Sequence, residues 1–210
     1  MKNLYVAGAG GCGRELMGML ADSVKIRGAE WNIKGFLDDT NPDIGEIARW
    51  YPVVGTIADF HPGPDDVVML GIARPEAKEK VVTLLKARGV VFESFVHPYA
   101  VLGNFNSLGE GVVIYGGFGM TVNVRVGNFV TLQACYLGHD VVVDDFATIS
   151  SFNNVMGHVR IGRGAFLGSN VAVSPQVHVG DGAFVCVGSV LIKDVAPGAK
   201  VMGNPAREIG

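Results

Sequence analysis

A histidine followed by an aspartate, His139-Asp140, stands in the stretch LGHDVVVDDF. Together these residue types can do acid–base chemistry. An imidazole titrating near neutrality takes a proton, and a neighbouring carboxylate fixes its tautomer. Such a pair suits a reaction in which a weak nucleophile must be deprotonated as it attacks. A second histidine, His158, lies in the similar context GHV and competes for the role of base, and an inert corner histidine is the bland alternative for His139. No His/Asp/Glu set has the spacing of a catalytic metal site, so no metal is expected.

A second group of residues suits phosphate. Gly8, Gly10 and Gly13 satisfy G-x-G-x-x-G between a predicted strand and helix, and Asp38 and Asp39 follow at the end of the next strand. Glycines in that pattern let backbone N–H groups approach phosphate at a helix N-terminus, and an aspartate can accept from a ribose hydroxyl or a base N–H. A dinucleotide reading fails on size, because the region supplies only half of the doubly wound unit that a dinucleotide straddles. A nucleotide-linked sugar fits better, with phosphates near Gly10 and Gly11 and the nucleoside near Asp38 and Asp39. A tight turn without a ligand is the plain alternative.

The elements that must position these groups fall into two regions, 1–97 and 98–210. In the first, NLYVAGA, NIKGFLDD, DVVMLGI and VVFESFV read as strands, separated by helical spacing in GRELMGMLADSV and PEAKEKVVTLLKARG. This βαβ order predicts a small parallel sheet covered by helices. In the second region a period of six takes over. Leu102, Leu108, Ile114, Met120, Val126 and Leu132 form one series. Leu137, Val143, Ile149, Val155, Ile161, Leu167, Val173, Val179, Val185 and Leu191 form another, after a single five-residue step. Such a repeat predicts a parallel β-helix, each short strand presenting one aliphatic residue to a central stack. Glycines after inward positions, as in Leu137-Gly138 and Ile161-Gly162, are expected where corners need freedom from Cβ strain. Residues eighteen apart should then stack, placing Gly157 on His139 and His158 on Asp140.

The hexapeptide series ending in VGDGAFVCVGSVLIKDVAPGAKVMGNPAREI, together with YVAGAGGCGREL and GFLDD, resembles the left-handed β-helix acyltransferases, in their sialic-acid O-acetyltransferase and nucleotide-aminosugar N-acetyltransferase branch. The likeness runs along essentially the whole chain. It implies an α/β half-Rossmann head followed by an all-β left-handed helix, acetyl-CoA as co-substrate, and a homotrimer with its sites between adjacent helices. It also implies a sugar acceptor held partly by the head, with Cys12, Gly71 and Ile72 lining the same pocket as the glycines. The resemblance makes His139 the general base, Asp140 its orienting partner and the Gly157 N–H the oxyanion donor. Thr148 and Cys12 stand where the family often has His. Donor-side candidates are Thr148, His158, Arg163 and Lys193, with Arg160 and Lys200 as further cations for CoA phosphates. The expected reaction is acetylation of the amino group of a nucleotide-linked aminosugar; acetylation of a sugar hydroxyl and non-catalytic binding of a nucleotide sugar are the alternatives.

Composition sets the outer bounds. With 210 residues, 49% of them hydrophobic, a sizeable core is possible, and a net charge of −3 without a Lys/Arg cluster argues against a nucleic-acid or polybasic membrane surface. Three scattered cysteines offer no zinc or disulfide framework, and no apolar leader opens the chain, so a cytoplasmic protein is expected.

Overall fold

The computed structural model of the chain describes residues 1–40 and 42–209. The head is a parallel sheet of β1 (Asn3–Ala7), β2 (Asn32–Leu37), β3 (Val53–Gly55), β4 (Asp66–Leu70) and β5 (Val91–Phe92). The strand order is β3-β2-β1-β4-β5. Helix α1 (Gly11–Arg27) buries Leu16, Met17 and Leu20 against Leu4, Val6 and Phe36. Helix α2 (Pro75–Lys86) opens with a proline in its first turn, where the missing N–H costs no hydrogen bond. Sequence order runs outward in opposite directions from β1 and β4, so a crevice opens at their carboxyl ends, where Gly8 and Gly71 emerge. Strand β3 escapes the sequence reading because three residues, none of them fully buried, are too few for alternation to show.

The expected strand VVFESFV divides. Val91–Phe92 closes the head sheet, whereas Phe95–Val96 pairs with Val113–Ile114 in the β-helix. Ser94 makes the transfer, accepting from the Val112 N–H and donating to the Gly109 carbonyl through its hydroxyl.

Beyond this point two-residue strands follow one another around a triangular prism, each pairing in parallel with the strand one coil later. The second residue of each strand points inward, and Ile114, Leu132, Leu137, Ile149, Val155, Ile161, Leu167, Val173 and Val185 are all fully buried. A second inward stack lies two residues earlier, from Val112 through Val130, Val141, Val159 and Val171. Each such side chain contributes about 1.5–3 kcal/mol by leaving water. Leu102 is exposed because its strand begins the stack and has a neighbour on one side only.

The corner glycines serve a different purpose from the one expected. None of Gly109, Gly127, Gly138, Gly162, Gly168 and Gly180 has positive φ. A Cβ there would instead strike the next coil, at 2.8 Å from the Gly157 nitrogen for Gly138 and 2.4 Å from the Pro197 nitrogen for Gly180. Close approach of successive coils, and not local strain, demands glycine. The left-handed positions are taken by a different corner residue, among them Asn123, Asp140 and His158 at φ 58, 58 and 60°, types that tolerate this conformation. The five-residue step between Leu132 and Leu137 falls one corner before His139. It shortens the corner Gln133–Cys135, while the corner holding His139 keeps the same four residues as its neighbours.

The outward positions give the three faces distinct characters. One carries Val101, Tyr136 and Val190, a second Arg125, Arg160 and His178, and the third bears the head on Val113, Thr131 and Thr148. At that junction Lys78 of α2 is fully buried, and its Nζ donates to the carbonyls of Phe129 and Ala147 at 3.0 Å each and to Thr131 Oγ1 at 3.3 Å. Burial pushes the Lys78 amine down to about 7. Lys78→Met removes what is, among the described residues, the only side-chain donor to these three oxygens. We expect it to lower stability in urea unfolding by about 1–3 kcal/mol, the cost of leaving the buried Phe129 carbonyl without a donor, since the Ala147 carbonyl keeps the Thr131 N–H. A change within 0.5 kcal/mol would show that the contacts contribute nothing net.

Candidate active site

His139 and Asp140 sit at the corner between the apolar and basic faces. Asp140 takes the left-handed corner position, its N–H donating to the Val122 carbonyl, and this turns its carboxylate toward the preceding side chain. His139 Nδ1 lies 2.8 Å from Asp140 Oδ2, while Asn123 Nδ2 donates to Oδ1 from the coil below. The hydrogen bonds from His139 and Asn123 hold the Asp140 carboxyl below its usual range, so it is ionised at neutrality. An ionised carboxylate at Nδ1 keeps the proton there and leaves Nε2 as the accepting nitrogen.

The coil above completes the corner. His158 donates its backbone N–H to the His139 carbonyl, places Nε2 3.8 Å from Asp140 Oδ2, and stacks edge-on to His139 with ring centroids 4.9 Å apart. Gly157 lies beneath the imidazole: a Cβ there would stand 2.5 Å from both Cε1 and Nε2 of His139. Gly157 is buried, and among the described residues nothing accepts its N–H. That follows from corner geometry, because the coil-to-coil ladder does not use this amide; the equivalent residue one coil later is Pro175, which has none.

The glycine-rich cleft is separate. It encloses about 490 Å³ at the carboxyl ends of β1 and β4, lined by Gly8, Gly10, Gly11, Cys12, Asp38, Asp39, Gly71 and Ile72. The N-termini of α1 and α2 both open on it. Gly13 does not line it, for a Cβ there would sit 1.9 Å from the Gly8 carbonyl oxygen, so this glycine lets α1 pack on the strand end. Asp38 Oδ2 accepts from the Ala9 N–H at 2.8 Å and Oδ1 from Thr40, and Asp39 Oδ1 accepts from the Ala58 N–H at 2.8 Å. Both carboxylates thus brace the cleft's own loops. Cys12 Sγ lies 3.3 Å from Tyr115 Oη, which donates to Glu15, and burial pushes the thiol up, away from nucleophilic character.

Three donor-side candidates fall elsewhere than expected. Thr148 is buried under the head and donates to the Ala73 carbonyl at 2.7 Å, which removes it from any ligand on the outer surface. Arg163 is held by Glu79 and Asp145 and lies over the Phe146 ring, serving the head junction. Arg160 pairs with Asp144. Lys193 stays exposed near the carboxyl-terminal end of the helix. The sequence reading missed Arg74, an exposed side chain that joins the glycine cleft to a neighbouring cleft beneath Phe166 and Phe184. Its signal was a cation directly before the proline that opens α2.

Comparison with known proteins places this geometry in context. No family model matches the chain. WeeI from Acinetobacter baumannii superposes over all of both chains with a TM-score of 0.88 and 28% identity. The acetyltransferase domain of PglB from Neisseria gonorrhoeae, solved with acetyl coenzyme A, covers 99% of each chain with a TM-score of 0.86 and 26% identity. PerB from Caulobacter crescentus, solved with CoA and GDP-perosamine, shares the fold at 21% identity and a TM-score of 0.84, over 100% of this chain and 98% of that one. Among curated relatives, serine acetyltransferase 2 of Arabidopsis thaliana is 29% identical over 137 residues, 64% of this chain. The acyl-carrier-protein-dependent UDP-N-acetylglucosamine O-acyltransferase of Pseudomonas putida is 33% identical over 111 residues, 50% of this chain. The chain spans 38% and 42% of those two relatives' lengths.

Proposed function

We propose that the chain, which superposes on hexapeptide-repeat, left-handed β-helix acetyltransferases, transfers an acetyl group from acetyl-CoA to the amino group of a nucleotide-linked aminosugar. The observation that carries this reading is the corner where Asp140 frees His139 Nε2 and the imidazole packs on Cβ-free Gly157, whose N–H finds no acceptor among the described residues. The missing Cβ at Gly157 is what lets the imidazole of the base sit against this coil. When bound, acetyl-CoA supplies an activated carbonyl and a thiolate leaving group. His139 Nε2 takes the proton of the attacking amine, Asp140 stabilises the imidazolium through Nδ1–H, and the Gly157 N–H offers a donor for the charge that develops on oxygen.

In this reading residues 1–97 hold the acceptor and residues 98–210 carry the base and the donor site. Two helix N-termini and Arg74 surround the glycine cleft, a setting that favours a diphosphate. PerB, with the same fold, holds CoA and a nucleotide-linked sugar together. Arg74→Ala should raise the KM for the nucleotide sugar about 10-fold and leave kcat within twofold, as expected for a charged phosphate contact. An unchanged KM would remove Arg74 from the site.

The head covers one face of the prism, while His139 lies at the corner opposite that face. A cleft and a base so placed in one chain are brought together by a second copy. The free apolar face suits that contact: Val101, Tyr99, Tyr136 and Phe152 are exposed around a 650 Å³ groove at the shortened corner. A homotrimer closes the arrangement with three equal sites. The three unpaired cysteines suit a reducing compartment, and we place the enzyme in the cytoplasm.

The reading is tested by CoA-thiol release with acetyl-CoA against UDP-, GDP- and TDP-linked aminosugars and free sialic acids, with product mass spectra locating the acetyl group. Turnover of an aminosugar to an amide supports it. Acetylation at a hydroxyl would establish O-transfer instead, and binding without turnover would make the chain a nucleotide-sugar-binding protein.

A further inference from the structure

We infer that His139, Asp140 and His158 form a three-ligand site for a first-row transition ion such as Zn²⁺, and that an ion bound there silences the corner as a base. One ligand atom from each residue lies within 4.8 Å of the others. Bonds of about 2.0–2.2 Å place the ligand atoms of a tetrahedral zinc roughly 3.4 Å apart. Two of the three separations bracket that value, with His139 Nδ1 to Asp140 Oδ2 at 2.8 Å and His158 Nε2 to the same oxygen at 3.8 Å. The third pair, between the two imidazoles, lies within 4.8 Å, so shifts of about an ångström would bring all three to one ion.

The frame holding these ligands is stiff. Asp140 and His158 take the same left-handed corner position in successive coils, tied by the hydrogen bond from the His158 N–H to the His139 carbonyl. Asn123 holds the carboxylate's other oxygen, a restraint that orients a ligating carboxylate. Both imidazoles are more than half exposed, so an ion can reach the site and keep an outward position for water. Two imidazoles and one carboxylate select zinc, copper or nickel over magnesium or calcium.

Binding and proton abstraction exclude one another. Coordination through His139 Nδ1 displaces its bond to Asp140 and leaves the imidazole proton on Nε2, the nitrogen that must accept one. The inhibitory half of the inference rests on His139 being the base; the binding half rests on geometry alone.

The experiment takes chelator-washed full-length protein and titrates it with Co²⁺, read by its visible absorption, and with Zn²⁺ against a chromophoric chelator. Wild type should bind one ion per chain, and His158→Asn and Asp140→Asn should each bind at least tenfold more weakly. Equal affinity in wild type and both variants would overturn the site. Thiol release is then followed with Zn²⁺ and after chelator is added back. Reversible inhibition in wild type supports the whole inference. Tight binding that leaves turnover intact would keep the site and overturn both the inhibition and the assignment of His139 as base. Weak binding by an enzyme that still depends on His139 would overturn the metal inference alone.

Discussion

His139→Ala should lower the rate of thiol release by about 10²–10⁴-fold, the usual contribution of a positioned general base, while the affinity for acetyl-CoA stays near that of wild type. The imidazole is exposed at a corner and fills no core position, so folding should be unaffected. Asp140→Asn should cost less, about 10–100-fold, because it disturbs the tautomer without removing the base, and the corner is open to water that can orient the ring in part. His158→Gln separates the two candidate histidines. If His158 were the base, its loss would match the fall assigned here to His139, and His139→Ala would be mild. Steady-state rates at saturating donor decide between the patterns.

Gly157→Ala should reduce kcat by about 10²-fold, the scale associated with misplacing a catalytic group by an ångström, yet leave thermal unfolding almost unchanged. The Cβ would stand 2.5 Å from the His139 ring, and the ring must move, since it is the far end of an exposed side chain whereas the glycine is backbone. Swinging outward breaks the 2.8 Å contact to Asp140 and leaves Nε2 off the reaction path. Gly157 itself has no positive φ, so alanine fits the backbone without strain. Kinetics and a melting curve on the same preparation check both halves. A large fall in Tm would make Gly157 a packing residue; full activity would show that the space beneath the imidazole is not used.

Much of this corner was legible in the chain. Aliphatic residues at a strict period of six must stack, and the eighteen-residue coil then sets Gly157 on His139 and His158 on Asp140, as the structure places them. The three-ligand grouping was not visible as a motif, since coil stacking, and not linear spacing, joins His158 to its partners. Thr148 misled because a polar side chain at an outward position reads as a ligand contact, and docking of the head buries it, as it buries Lys78. Which face the head covers depends on long-range packing of Phe92, Phe129 and Phe146, and no local pattern declares it. The glycines were recognised by position and given the wrong cause, because sequence shows a corner and hides the neighbouring coil.

The most direct test of a shared site is complementation between two inactive variants. His139→Ala lacks the base, and Gly10→Glu puts a carboxylate into the phosphate cleft, where a new side chain meets nothing within 4 Å. If base and cleft come from different copies, each variant alone is silent, and oligomers reassembled from equal amounts recover at most about a quarter of wild-type turnover, the fraction of sites pairing an intact base with an intact cleft in a closed symmetric ring. Mixed oligomers that remain as silent as their parents would place base and acceptor in the same chain and contradict the account.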